Sequence, residues 1–114
     1  MERVKTEQAF REAIEQEKLC VALFKTDWCK DCHYLDVFFP EVVEKYAEKF
    51  QFIEVDRDEL PDLCADLHIL GIPSFIVFRQ GKELVRFVSK LRKTREEVEQ
   101  FLDRALEVSK ALAE

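Results

Sequence analysis

The stretch Leu-Cys-Val-Ala-Leu-Phe-Lys-Thr-Asp-Trp-Cys-Lys-Asp-Cys, residues 19–32, decides the fold. Its first six residues are continuously apolar, which is typical of a central parallel strand buried on both faces of a sheet. A turn over residues 27–29 follows. Beyond the turn, apolar residues recur at three- and four-residue steps from Leu35 to Phe50, and this period predicts a long amphipathic helix. The two cysteines therefore stand where a buried strand passes into a helix.

The rest of the chain alternates between helical and extended patterns. Helices are predicted over residues 6–17, 60–67 and from 94 onward, and strands over residues 52–55, 74–78 and 83–88. The turn 79–82 joins the last two strands as a hairpin. This alternation predicts an α/β fold, with a central mixed four-stranded sheet flanked by helices. We expect one domain spanning residues 1–114.

Composition and charge disfavour several classes of protein, including nucleic-acid binders and membrane proteins. Hydrophobic residues make up 47% and charged residues 37% of the chain, which is typical of a soluble globular protein. The formal net charge is −6 and basic residues are interspersed with acids, so a nucleic-acid partner is disfavoured. The apolar runs are too short to cross a membrane, and residues 1–10 lack the apolar segment of a secretory signal. We expect a cytoplasmic monomer that binds neither nucleic acid nor membrane.

The two cysteines of residues 29–32 have the spacing and location of a redox pair. In a reducing compartment, four cysteines do not indicate a framework of structural disulfides. Backbone N–H groups and the helix dipole stabilise negative charge at a helix N-terminus, so a thiol placed there ionises more easily. Only a thiolate attacks a disulfide, and a second thiol after two intervening residues can reach the resulting mixed disulfide. We therefore expect Cys29 to be the nucleophile and Cys32 the resolving thiol.

Two further features give the motif a family resemblance. Trp28 directly precedes the first cysteine, and residues 71–75, Gly-Ile-Pro-Ser-Phe, open a predicted strand. Together with the Trp-Cys-Lys-Asp-Cys motif between strand and helix, they resemble the thioredoxin family over nearly the whole chain, lacking at most the first strand. The resemblance implies a cis peptide bond before Pro73, which lies beside the cysteines in that family. It also implies substrate contacts from Trp28 and from the backbone of Ile72.

The sequence departs from the family pattern near the site. Lys30 and Asp31 replace the usual Gly-Pro between the cysteines. Lys30 favours a thiolate and Asp31 disfavours one, and we expect both of these supporting side chains to be solvent-exposed. The family commonly buries an aspartate near a lysine of the next strand, and these positions are assigned here to Leu23 and Phe52. Ser89 replaces the family's glycine after the hairpin strand.

Two other classes of function fit the same residues. A structural zinc site has a formal ligand set in Cys29, Cys32, Cys64 and His68. Against it, the resemblance places the helix of Cys64 away from the cysteine pair, and we assign no metal ligand. A non-catalytic interaction module would bind a partner at the same surface without turnover. An assay of insulin reduction by a dithiol separates that module from an enzyme.

Several other residues have simple structural interpretations. Cys20 and Cys64 are expected to be small core side chains. His33 follows Cys32, and its imidazole could accept the proton of that thiol. We favour the simpler interpretation that His33 is an exposed, solvated helix residue. The basic run over residues 90–93 is expected to be solvated surface.

These observations predict a thiol–disulfide oxidoreductase that exchanges a Cys29–Cys32 dithiol and disulfide with protein or small thiol substrates. Reduction is the expected direction in a cytosol, where thiols are kept reduced. The sequence holds no nucleotide-binding motif and implies no cofactor, so the electrons must come from an external reductant system.

Overall fold

The computed structural model describes residues 1–113, which form a sheet flanked by helices. The strands are β1 (Glu2–Val4), β2 (Leu19–Lys25), β3 (Phe50–Asp56), β4 (Ser74–Arg79) and β5 (Lys82–Phe87). The helices are α1 (Glu7–Ile14), α2 (Lys30–Tyr46), α3 (Pro61–Asp66) and α4 (Arg95–Ala113). Across the sheet the order is β1-β3-β2-β4-β5. Within the described residues, each helix is too short or too polar to cross a membrane.

The sheet is mixed because its two halves are connected differently. β1, β3 and β2 run parallel, whereas β4 is antiparallel to both β2 and β5. The predicted α/β architecture with helices around a mixed sheet is confirmed, but the sheet has five strands rather than four. β1 was missed because it has only three residues, of which Val4 alone is buried. So short a strand leaves no alternating pattern in the sequence.

β2 lies in the middle of the sheet and is buried over its whole length except at Lys25, its last residue. Phe24 faces a core cluster that includes Phe10 of α1, and their ring centroids lie 6.4 Å apart. Leu23 faces the opposite cluster, which α2 and α4 cover with residues such as Leu102. A strand with helices on both faces needs apolar side chains in both directions, which explains its continuous apolar run.

Local signals in the sequence set several element ends. Thr6 begins α1, because its Oγ1 accepts a hydrogen bond from the Ala9 backbone N–H at 3.0 Å. Thr94 and Glu97 begin α4 with the reciprocal bonds of a capping box, at 3.0 and 3.2 Å. The hairpin turns through residues 80–81, both with positive φ (51° and 80°), as a tight turn between twisted strands requires.

The strand directions bring two distant segments together. Because β2 and β4 are antiparallel, the carboxyl end of β2 lies beside the start of β4, where Phe24 pairs with Ser74. The cysteine motif follows β2, and the segment 71–73 precedes β4. Both therefore emerge at the same edge of the sheet.

Candidate active site

Cys29 is the N-cap residue of α2, and its sulfur takes the place of the usual capping oxygen. Its backbone is extended (φ −78°, ψ 116°), and its Sγ accepts a hydrogen bond from the Cys32 backbone N–H at 3.2 Å. The residue is 6% exposed and lines a surface groove. The N–H group and the dipole of α2 both stabilise negative charge on this sulfur. The geometry suits Cys29 to react as a thiolate.

Cys32 lies one turn into α2 and is fully buried. Burial first, and the hydrogen bond with Cys29 second, raise the pKa of the Cys32 thiol well above its usual range. The Thr26 backbone and the charge of Lys25 act in the opposite direction. At neutral pH Cys32 therefore keeps its proton, and of the two cysteines only Cys29 lines the groove.

The segment before β4 lies directly against Cys29. The Ile72–Pro73 peptide bond is cis, as predicted, and the Cys29 Sγ lies 4.0 Å from the Ile72 carbonyl oxygen. Ser74 fixes the turn by donating its hydroxyl to the Gly71 carbonyl at 2.5 Å. A Cβ at Gly71 would meet the Ser89 carbonyl oxygen at 2.2 Å, so only glycine fits where these two backbones approach each other.

An open groove of about 480 Å³ runs beside Cys29, and we call it the Cys29 groove. Its wall is formed by Trp28, Lys30 and Asp31 on one side and by residues 70–72 on another, with Arg57 and Lys90 completing it. Trp28 is 64% exposed, and its Nε1 donates to Asp58 Oδ2 at 2.8 Å. That bond holds the indole ring in place beside the cysteines while leaving most of it accessible.

Asp31 is held by a cation that the sequence did not reveal. Its Oδ1 accepts from Arg92 Nε at 3.0 Å, and the Arg92 guanidinium also lies 4.3 Å from the centre of the Tyr34 ring. Lys30 is exposed as predicted. The expectation that Asp31 is simply solvated is wrong, because its side chain is ion-paired and only about a third exposed (32%).

The expectation that residues 90–93 are solvated surface is also wrong in part. Lys93 is 1% exposed, and its Nζ donates to the carbonyl oxygens of Ser89 and Leu91 and to the Ser89 hydroxyl at 2.9 to 3.3 Å. Burial lowers the pKa of Lys93, against the opposing charge of Glu97. The lysine thus ties together the loop that packs on Gly71.

Leu23 and Phe52, assigned from the sequence to the family's buried pair, lie on the same face of the sheet. The strand register places Glu54 directly opposite Leu23 and pairs Phe52 with Val21, so Phe52 is a diagonal neighbour of Leu23. Leu23 and Phe52 both lie in the core between the sheet and α2, as apolar residues should.

Beside Leu23, an ion cluster occupies the end of β2. The Lys25 Nζ lies 2.8 Å from Asp36 Oδ1 of α2 and 3.6 Å from Glu54 Oε1 of β3. Burial opposes the charge on Lys25, but the bond to Asp36 and the charge of Glu54 raise its pKa overall. Asp36 is one helical turn beyond Cys32, which brings this cluster close to the Cys32 thiol.

The other cysteines and His33 lie where simple packing puts them. Cys20 and Cys64 are buried, and burial raises the pKa of Cys20 to about 12 and that of Cys64 to about 11. The His33 side chain is exposed, and its Nε2 lies 2.6 Å from the Asp27 carbonyl, to which it must donate. Over residues 1–113, no three His, Cys, Asp or Glu side chains are grouped to hold a metal ion.

Sequence reasoning missed the charged residues that reach the site from other elements. Arg57 and Lys90 line the Cys29 groove, and Arg92 binds Asp31 across 61 positions of sequence. Single exposed cations carry no periodicity, so no local pattern marks them. Lys25 did carry a signal, because a charge directly following a fully apolar strand is unusual and predicts a partner.

Comparison with known proteins identifies the family. The family model described as thioredoxin matches residues 2–104. Thioredoxin from Equus caballus is 33% identical over 89 residues, covering 76% of this chain and 84% of its own length. Thioredoxin H2 of Arabidopsis thaliana is 30% identical over 79 residues, 69% of this chain but only 59% of the plant protein. A thioredoxin structure from Plasmodium falciparum gives a TM-score of 0.81 at 24% identity, covering 91% of this chain and 98% of its own.

These similarities confirm the thioredoxin-like fold expected from the sequence. They also confirm the predicted class of enzyme, a protein-disulfide reductase that works by dithiol–disulfide exchange. The chain is a thiol–disulfide oxidoreductase and belongs to the thioredoxin family.

Proposed function

We propose that Cys29 attacks the substrate disulfide and that Cys32 releases the reduced product. The observation that carries this assignment is the hydrogen bond from the Cys32 N–H to the Cys29 Sγ at the start of α2. That contact favours a thiolate on Cys29, whereas burial keeps Cys32 protonated. The attack breaks the substrate S–S bond and forms a mixed disulfide between Cys29 and one substrate sulfur. The other sulfur leaves as a thiolate, which takes a proton from solvent.

Cys32 then completes the exchange. After losing its proton, Cys32 attacks the Cys29 sulfur, so the mixed disulfide breaks and the Cys29–Cys32 disulfide forms. In sum, two electrons and two protons pass to the substrate, which becomes a dithiol, while the cysteine pair is oxidised. An external dithiol reductant returns the pair to the reduced state.

Trp28, Ile72 and Pro73 form the docking surface for the substrate in this proposal. The exposed indole of Trp28 offers an apolar face, and the Ile72 carbonyl lies beside the attacking sulfur. An extended segment can add its backbone hydrogen bonds along residues 72–73, in the manner of an added strand. Lys30 and Asp31 support the site through their charges.

The setting of the reaction is proposed as a reducing compartment, the cytoplasm, with residues 1–114 acting as one monomeric domain. Four free thiols, of which three are almost or entirely inaccessible, suit such a compartment. The substrates in this proposal are disulfide-bonded proteins or small disulfides. No cofactor, nucleic acid, metal or membrane takes part.

Substitution of each cysteine tests the assignment. We expect Cys29→Ser to abolish insulin reduction by dithiothreitol, because no attacking thiol remains. Cys32→Ser should instead accumulate a mixed disulfide on Cys29, visible by non-reducing electrophoresis and mass spectrometry. Cys64→Ala is the matched control, since that buried thiol takes no part in exchange and its loss should preserve turnover.

The order in which the two cysteines are alkylated gives an independent test of which one is the attacking thiol. Iodoacetamide at mildly acidic pH should label Cys29 before Cys32. Preferential labelling of Cys32, or a mixed disulfide trapped on Cys32 in the Cys29→Ser variant, would show that the two roles are reversed.

A further inference from the structure

We propose that the Cys29 groove selects disulfides in extended peptide segments that carry acidic side chains beside the bonded cysteines. This inference rests on the exchange reaction proposed above and names the class of substrate that the site prefers. It is carried by the charge and the exposed apolar surface of the groove.

The charge of the groove is opposite to that of the whole chain. Lys30, Arg57 and Lys90 line it, and within residues 1–113 no carboxylate lies within 4.0 Å of any of these three cations. The chain as a whole carries a formal net charge of −6. Three cations without ion-pair partners around one reactive sulfur, on an otherwise acidic protein, form a local positive field.

The acidic side chains near the groove are already engaged. Asp31 is the only carboxylate in the groove wall described here, and its Oδ1 is bonded to Arg92 at 3.0 Å. Asp58, next to Arg57 in sequence, accepts the Trp28 indole N–H at 2.8 Å. The bond from Trp28 fixes the Asp58 carboxylate but leaves its charge, so the three cations of the groove still outnumber the unpaired acid beside them. This surplus of positive charge favours association with a substrate carboxylate.

The apolar part of the groove favours a peptide over a small anion. Trp28 is 64% exposed and Leu70 is 72% exposed, and both belong to the groove wall. Large exposed apolar side chains that share a groove with charged residues are typical of interaction sites. A segment of several residues can cover these side chains while its acidic residues reach the cations. A compact disulfide cannot do both.

The test uses three peptides that share one intramolecular disulfide and differ only in four flanking residues, which are Glu, Gln or Lys. The fully reduced protein is mixed with each peptide in a single turnover, and the rate of peptide reduction is measured. At low ionic strength the Glu peptide should react about 3- to 30-fold faster than the Gln peptide, and the Lys peptide slower than both. The ratio of Glu to Gln rates should shrink towards one in 0.5 M salt, where charge interactions are screened over about 4 Å.

Variants locate the effect in the groove. Arg57→Gln and Lys90→Gln should each lower the ratio of Glu to Gln rates by roughly 1.5- to 5-fold, the usual size of one exposed charge contact. Lys82→Gln is the matched control, because Lys82 is an exposed cation at the hairpin turn, on the opposite edge of the sheet from Cys29. That variant should leave the ratio unchanged.

Each result decides between the proposals. Equal rates for the Glu and Gln peptides would overturn the inference while leaving the exchange reaction intact. No reduction of any peptide would instead overturn the proposed function. An equally large preference for oxidised glutathione over an uncharged small disulfide would show that the groove recognises anionic disulfides that lack an extended segment, which also contradicts the inference. A ratio lowered equally by Lys82→Gln would mean that overall charge, not the groove, sets the preference.

Discussion

Asp31 lies between Cys29 and Cys32 in the sequence, and its carboxylate is ion-paired with Arg92 of the loop that precedes α4. The bond to Arg92 at 3.0 Å directs part of the carboxylate's field away from Cys29. Lys30, the other intervening residue, is exposed and bound to no acid within residues 1–113. The charge felt by the Cys29 sulfur is therefore a balance among these three residues, which single substitutions can shift.

The first residue-scale prediction concerns that balance. We expect Asp31→Asn to speed alkylation of Cys29 by iodoacetamide at pH 6.5, by roughly two- to fivefold, because it removes a negative charge and leaves the Arg92 cation uncompensated. Arg92→Gln should slow alkylation by a similar factor. Glu107→Gln, which changes an exposed carboxylate near the far end of α4, serves as the control.

Slower alkylation of Cys29 in the Asp31→Asn variant would point to a different role for Asp31. If Asp31→Asn slows alkylation, then Asp31 acts mainly by stabilising the first turn of α2, in which it is the acidic residue. The charge balance described here would then be incorrect.

At the scale of elements, Lys25 connects β2 with α2 and β3 next to Cys32, the resolving thiol in the proposed exchange. Its side chain is 12% exposed and bonded to Asp36 and Glu54. Because its charge lowers the pKa of Cys32, it opposes part of the effect of burial. A cation here promotes loss of the Cys32 proton, which the second step of the exchange requires.

We predict that Lys25→Met slows the second step. In a single turnover at pH 7, the mixed disulfide should persist roughly two- to tenfold longer, because the pKa of Cys32 rises and fewer thiolates form. The rate of this step should increase with pH in both proteins, with the profile of the variant displaced to higher pH. Lys25→Arg keeps the charge and should restore the lifetime. A Lys25→Met protein with an unshifted profile would show that Lys25 has only a structural role.

Elements marked by a pattern among neighbouring residues were predictable from the sequence, whereas contacts between elements were not. The apolar run of β2 and the capping box at Thr94 are local patterns, so their positions follow from neighbouring residues. The bond between Asp31 and Arg92 depends on how the loop before α4 approaches α2, which no local pattern records.

At the scale of the whole molecule, buried thiols link stability to pH. Burial raises the pKa of Cys20 to about 12, whereas a thiol in an unfolded chain ionises near about 8.5. The folded protein therefore holds this proton after the unfolded chain has lost it. The resulting stability is fully present below about pH 8.5 and is lost as the pH rises through the folded value.

Cys20→Ala tests this linkage. We expect the variant to be less stable than wild type at pH 8, and the difference in unfolding free energy to shrink by up to about 2 kcal/mol at pH 10. Urea unfolding with a phosphine reductant measures both values. Val21→Ala, a substitution at the neighbouring buried position with no titrating group, should keep a constant difference. A constant difference for Cys20→Ala as well would mean that the thiol stays neutral in the unfolded chain or ionises within the fold.

The close approach of the backbone at Gly71 to residues 89 and 90 also limits which substitutions this part of the chain tolerates. The atoms that a Cβ there would strike, at 2.2 to 2.6 Å, all belong to the main chain of residues 89 and 90. Because every amino acid carries those atoms, no second mutation at 89 or 90 can compensate for a side chain at 71. Position 89 is free of that restriction, and serine occupies it here. Two backbones in contact thus restrict position 71 to glycine and leave position 89 open to exchange, for as long as the two segments keep this approach.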